Sequence, residues 1–226
     1  MASYVSVRQD FVHRLDAVRD AVLTLSSMVD KAVDRAVESL RGRDLTTARQ
    51  IIRDDQLVNQ QRFDVEQSAI LLMATQQPMA SDLRSIIAIL NIVVDLERIG
   101  DYAVGIAKIT LMHGDKPVLK PLIDIPRMAD LARDMLRRAL DAFVLLDVAA
   151  ARAIANEDDV VDALYDQIYR ELLTYMLADP AAIDRATWLL WVGHNLERIA
   201  DRVTNICERV IYKATGEMVE INVSTY

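Results

Sequence analysis

Eight side chains at repeated spacings carry the chemistry open to this sequence. Glu97 and Asp101 stand four residues apart, and Glu197 and Asp201 repeat them one hundred residues later. On a helix, a four-residue step places two side chains about 6 Å apart on one face. Two carboxylates so placed repel unless something positive is shared between them. Asp55 with Asn59, and Asp158 with Asp162, show the same spacing on the preceding segment of each half. Packed side by side, the two segments offer four oxygen-bearing side chains, a donor set suited to Fe, Zn, Mn or Mg. The competing reading is a solvated face on which Arg98 and Arg198 pair with neighbouring carboxylates, contacts that contribute little. Against it stand the duplication itself and the apolar Leu90, Val94 and Leu190 on the same face.

Other chemistry is less well supported. His194-x-x-Glu197 reverses the Glu-x-x-His order of carboxylate-bridged di-iron bundles, and Asn91 stands at the corresponding place in the first half. His13 and His113 have no acidic, His or Cys context and read as surface or capping residues. Cys207, the single cysteine, has no His placed to activate it and reads as a small residue at the core edge. Trp188 and Trp191, with Met176, read as packing against the second half. Neither GxGxxG nor GxxxxGK[ST] occurs, so nucleotide hydrolysis has no visible machinery.

The elements that must position these acids are long helices. Of 226 residues 52% are hydrophobic and 27% charged, and only six are Gly and five Pro, too few for a fold that turns every ten residues. The chain is one motif written twice. Met28–Asp34 resembles Met128–Asp134, Asp44–Ile51 resembles Asp147–Ile154, and Leu96-Glu-Arg-Ile-Gly-Asp101 resembles Leu196-Glu-Arg-Ile-Ala-Asp201. Apolar residues at spacings of three and four predict helices over 6–41, 44–76, 79–112, 125–146, 148–177 and 181–214. Asp44 and Asp147 are expected N-caps, Gly42, Gly114 and Gly216 expected C-terminal caps, and Pro78 and Pro180 first-turn residues. The stripe Ile89, Ile92, Leu96, Ile99, Ala103, Ile106 and its copy form the core seam. The expected fold is all-α: two tandem antiparallel three-helix bundles, 1–120 and 121–226, joined near residue 120.

Charge and composition exclude several function classes. A net charge of −8 without any Lys/Arg run argues against nucleic-acid binding. The N-terminal residues lack the order of a signal peptide, and the longest apolar stretches are far short of a span. With one cysteine nothing asks for an oxidising compartment, so a cytoplasmic setting is expected.

Beyond these readings, the residues resemble the PhoU family. The doubled Leu-Glu-Arg-Ile-Gly/Ala-Asp, the Pro78-x-x-x-Asp82-Leu-Arg84 run and Asn205-Ile-Cys-Glu-Arg-Val-Ile-Tyr212 before Gly216 carry the resemblance, which extends from Arg8 and Phe11 to Gly216. It implies a non-enzymatic regulator of phosphate homeostasis that modulates the high-affinity phosphate transporter through its nucleotide-binding subunit. It also implies negative regulation of phosphate-starvation signalling through a sensor kinase, with the membrane reached only through partners. A homodimer is expected. The resemblance further implies multinuclear metal sites, the first at Asp55, Glu97 and Asp101 and the second at Asp158, Asp162, Glu197 and Asp201. This chain departs from the family pattern at Asn59, where an acid is usual, and at Arg202, where His commonly follows the Asp.

Overall fold

The computed structural model describes residues 2–221. Seven α-helices carry the fold: α1 (Ala2–Gly42), α2 (Leu45–Gln76), α3 (Ala80–His113), α4 (Asp124–Leu145), α5 (Val148–Ala155), α6 (Asp158–Ala178) and α7 (Ile183–Thr215). The chain is 88% helical with no strand among the described residues. In the first half α1, α2 and α3 pack mutually; in the second, α4 and the α5–α6 pair pack on α7. No helix among the described residues is long and apolar enough to cross a membrane.

The seam read from the sequence is the core. Ile89, Ile92, Leu96, Ile99, Ala103 and Ile106 on α3 are fully buried, as are Leu189, Val192, Leu196, Ile199, Val203 and Ile206 on α7. The helix ends follow local chemistry. Asp44 accepts hydrogen bonds from the Thr46 and Thr47 amides, and Asp147 from the Ala150 amide, so each satisfies otherwise orphaned first-turn donors. Gly114 (φ 61°) and Gly216 (φ 84°) take the left-side backbone conformations that close α3 and α7.

Four expectations need correction. Gly42 is the last residue of α1, and the left-handed residue is Arg43 (φ 55°), matched in the second half by Leu146 (φ 58°). Pro78 precedes the Met79 cap of α3 and lies in the connection, whereas Pro180 opens a single 3-10 turn, Pro180–Ala182. The expected helix over 148–177 is two helices. Asn156 and Glu157 form a turn in which the Glu157 amide bonds Ile154 O, an i→i−3 step that tightens the backbone without Pro or Gly.

The fourth correction is one of register. Met28–Asp34 and Met128–Asp134 look alike, but the structural offset between α1 and α4 is three residues larger. Arg43 corresponds to Leu146, Asp44 to Asp147, and the bond from the Asp44 amide to Ser39 O to that from the Asp147 amide to Ala142 O. The buried positions agree in this register, with Leu25, Val29, Val33 and Ala36 answered by Met128, Ala132, Leu136 and Ala139. Three residues turn a helix by 300°, about 60° short of a full circle, so both registers keep the apolar stripe roughly aligned.

The halves are not independent. The most extensive helix–helix contact is α3 against α7, running antiparallel between them. The helices approach so closely at Gly105 that a Cβ there would stand 2.9 Å from Asn195 Oδ1. Arg133 on α4 bonds Asp30 at 2.8 Å and Asp34 at 2.5 Å on α1. Lys120 in the connecting segment is buried and pairs with Glu171 on α6, and with Asp124 at 3.6 Å.

Candidate functional site

The acid pairs lie where α3 meets α2 and where α7 meets α6. Glu97 and Glu197 have side chains only 13% and 12% exposed, so the middle helix covers that part of the face, while the Arg98–Asp101 and Arg198–Asp201 pairs expected of a solvated face form on its open side. Asp101 and Asp201 sit a turn further on and are more open. The middle helices bring Asp55 and Asp162 within electrostatic reach of them. Burial, then the charge of Asp101, raises the Asp55 carboxyl; burial, Asp101 and Asp55 raise Glu97. In the second half, burial and Asp201 raise Asp162, and burial, Asp201 and Asp162 raise Glu197 to about 7. Asp158 is buried in the first turn of α6, where exposed amides favour an acid, whereas Asp55 lies inside α2.

The two faces differ in what neutralises them. In the first, Arg62 on α2 lies 3.5 Å from Glu97 and also bonds Glu66. Arg98 bonds Asp101 at 3.1 Å, and the charge of Lys108 favours the Asp55 carboxylate. Asn59 donates to Asp55 Oδ2 at 3.0 Å. In the second half Arg62 is replaced by Tyr165, Lys108 by Glu208 and Asn59 by Asp162. Arg198 brings a fixed cation to Glu197 and Asp201: it bonds Asp201 and lies 3.8 Å from Glu197. His194 Nδ1 is 3.3 Å from Glu197, but burial lowers the affinity of that imidazole for a proton. The Tyr165 ring fits because α7 has Gly193 beneath it, where a Cβ would stand 3.0 Å from Cδ2. Sequence reading missed Arg62, Lys108 and Tyr165. For Arg62 and Tyr165 the spacing of seven from Asp55 and Asp158 carried the signal, and for Lys108 the spacing of seven from Asp101, once α2 and α6 are turned toward α3 and α7.

Among the described residues no group of three or more Asp, Glu, His or Cys side chains is drawn together as a ready-made metal site. The donor set nevertheless suits a hard cation. Buried Oε2 atoms of Glu97 and Glu197 receive no hydrogen bond, and burial, with the charge of the acid four residues on, raises both glutamate carboxyls above their ordinary range. A cation would relieve both conditions, more completely in the second half, where Arg198 alone would have to release Asp201.

The remaining candidates have structural roles. Arg202, which stands where the resemblance led us to look for His, turns away from the acid pair and bonds Asp95 of α3 at 3.4 Å, beside Asn205 at 3.3 Å. Cys207 is buried and its thiol is pushed up to about 12, which makes it inert. His113 is buried and edge-on to Trp188 at 5.9 Å, joining the two halves, so the surface or capping reading does not hold for it. Trp188 is partly buried on the core, while Trp191 is half exposed and does not pack as expected. Glu208 accepts from the Ile221 amide and so fastens the segment after α7.

The doubled three-helix fold has counterparts among known proteins. A sequence profile described as the PhoU domain matches residues 22–110 and again 125–210. The chain belongs to the PhoU family. A phosphate-specific transport system accessory protein PhoU homolog of Pseudomonas putida is 38% identical over 93% of this chain and 82% of its own length. One of Clostridium acetobutylicum is 37% identical over 95% and 99%. The crystal structure of PhoU from Pseudomonas aeruginosa superposes with a TM-score of 0.87 at 36% identity, over 92% of this chain and all of that one. PhoU proteins form an accessory and regulatory family and are not enzymes.

Proposed function

We propose that this chain is a regulator of phosphate transport in the cytoplasm. It acts as a rigid helical adaptor that docks on the nucleotide-binding subunit of a phosphate transporter and on a sensor kinase, holding phosphate-starvation signalling down when phosphate is plentiful. The observation that carries this reading is the match of both halves to the PhoU domain, with relatives named as phosphate transport accessory proteins aligned over more than nine-tenths of the chain. Exposed apolar residues support docking: Phe63 and Ile70 on α2, Val94 on α3 and Trp191 on α7 are each more than a third exposed. A second copy of the chain could cover the same residues, so a homodimer belongs to the reading. The test is a deletion strain carrying a phosphate-responsive reporter, complemented with tagged protein. High reporter expression at high phosphate, restored to low by complementation, with the transporter subunit or kinase co-purifying, is the expected result. Unchanged expression and uptake, with neither partner recovered, would overturn it.

Metal is part of the same proposal. Asp158, Asp162, Glu197 and Asp201 would hold Fe, Zn, Mn or Mg in the second half; Asp55, Glu97 and Asp101 would form a weaker site in the first. A bound cation would neutralise the acid pair and tie α6 to α7. The raised Glu197 carboxyl and its unbonded Oε2 support this assignment.

A further inference from the structure

The first half contains a cavity of about 240 Å³ between α1, α2 and α3, apart from its acid pair. Met28, Ala32, Ile51, Val58 and Gly100 give it an apolar wall. Lys31, Arg35 and Asp54 stand on its α1 and α2 rim, and Asp55 at the side nearer α3. Arg35 bonds Asp54 at 2.9 Å. Lys31 is exposed and makes no ion pair with any described residue. Lys31 is therefore a rim cation without an ion pair beside an apolar hollow whose lining holds two cations and two carboxylates, with Asp55 on the opposite side.

The second half shows what this arrangement is without a cavity. In the structural register of α1 and α4, Ala32 is replaced by Met135, whose side chain is 1% exposed, and in that of α3 and α7, Gly100 is replaced by Ala200. Both changes add bulk where the hollow lies. The ion pair is retained, as Arg138 with Glu157, but Lys31 becomes Asp134, which bonds Arg138 at 2.7 Å. One half thus fills the position and sets an acid, Asp134, where the other has Lys31 beside an open hollow.

We propose that this cavity binds a small amphipathic monoanion, an apolar body of about ten non-hydrogen atoms ending in a carboxylate, judged from benzene filling an apolar cavity of about 150 Å³. The apolar body lies on Ile51, Val58 and Gly100, and the carboxylate faces Lys31 and Arg35, away from Asp55. Asp55 belongs to the lining of this cavity and to the first acid face, so the two sites adjoin.

The test titrates full-length protein, labelled with ¹³C at the methionine methyls, with 3-phenylpropionate, 3-phenylpropan-1-ol and 3-phenylpropylamine, following the Met28 methyl. The acid is expected to saturate at one per chain and to bind at least tenfold tighter than the alcohol, with the amine weaker still. Lys31→Asp, which copies the second half's charge at an exposed position, should erase the preference for the acid. Ala32→Met with Gly100→Ala, which copies its packing, should abolish binding of all three while leaving the circular dichroism unchanged. A Cβ at Gly100 would meet Val58 Cγ1 at 3.3 Å, a contact a small shift relieves; should the double variant misfold, Lys31→Asp alone decides. Absence of a saturable Met28 shift up to the solubility of the acid, equal affinity for acid and alcohol, or an unaltered preference in Lys31→Asp would each overturn the proposal.

Discussion

The two halves set the same Glu-x-x-x-Asp pair on the same helix and differ in what the neighbouring helix brings to it. In the first, Arg62 and Lys108 supply charge from within and Asn59 stands in for an acid, so the face is close to self-neutralised. In the second, Tyr165, Glu208 and Asp162 occupy those places, and Glu197 is driven up to about 7. A duplicated frame therefore does not imply a duplicated site. Burial is shared, and what differs between the two faces is the sign of three or four nearby charges.

Exchanging the residues that differ should break the comparison with the largest effect. Tyr165→Arg introduces into the second half the cation that Arg62 supplies in the first, and should weaken metal binding there on the order of tenfold to a hundredfold, the scale of losses at groups that support metal ligands. Arg62→Tyr combined with Asn59→Asp should produce metal uptake by the first half. Calorimetric titration with Mn(II) reads both. A Tyr165→Arg protein that binds as well as the parent would mean that the charge of the middle helix is not what separates the halves.

A smaller effect is expected in the pH dependence of stability without metal. The Glu197 carboxyl rises from 4.5 when unfolded to about 7 when folded. Between those values the folded chain holds a proton that the unfolded chain has lost, so stability falls as pH rises across that window and levels off above it. Glu197→Gln should flatten the fall and raise the melting temperature of metal-free protein at pH 8. Glu97→Gln should do so less, since Arg62 favours its carboxylate. Equal gains, or a loss in the second half, would remove the asymmetry.

The interface between the halves offers a milder contrast. Asp95 on α3 receives bonds from Arg202 and Asn205, but Asn195, its counterpart on α7, bonds only the Trp191 carbonyl of its own helix at 2.7 Å. Asp95→Ala removes two hydrogen bonds across the interface while Arg202 keeps Tyr102, and should cost about 1 kcal/mol in denaturant unfolding. Asn195→Ala should cost about 0.5 kcal/mol or less. Least of all, Asp44→Ala should lower the melting temperature slightly more than Asp147→Ala, since Asp44 caps two amides and the Thr47 hydroxyl, and Asp147 one amide.

Much of this was legible in the sequence where the cause is local. The three-and-four stripe gave the seam from Ile89 to Ile106, Asp44 and Asp147 announced their helices, and the acid pairs could be placed from spacing alone. What was not legible depends on tertiary choices. The α5–α6 turn has no Pro or Gly at Asn156 and Glu157. The register of α4 was obscured because a three-residue slip leaves the apolar stripe nearly in place. Arg62 and Tyr165 mattered only once α2 and α6 had turned them toward the acid pairs, and Arg202 read as a missing ligand until α3 brought Asp95 to it.

The central claim, that the second half holds the stronger metal site, is tested most directly by the metal content of two variants purified in parallel without chelator. Glu197→Ala with Asp201→Ala is expected to lose most of the bound metal, and Glu97→Ala with Asp101→Ala to keep most of it, with both retaining helical content. Equal loss from the two proteins, or none detectable in the parent after growth in metal-rich medium, would contradict the account.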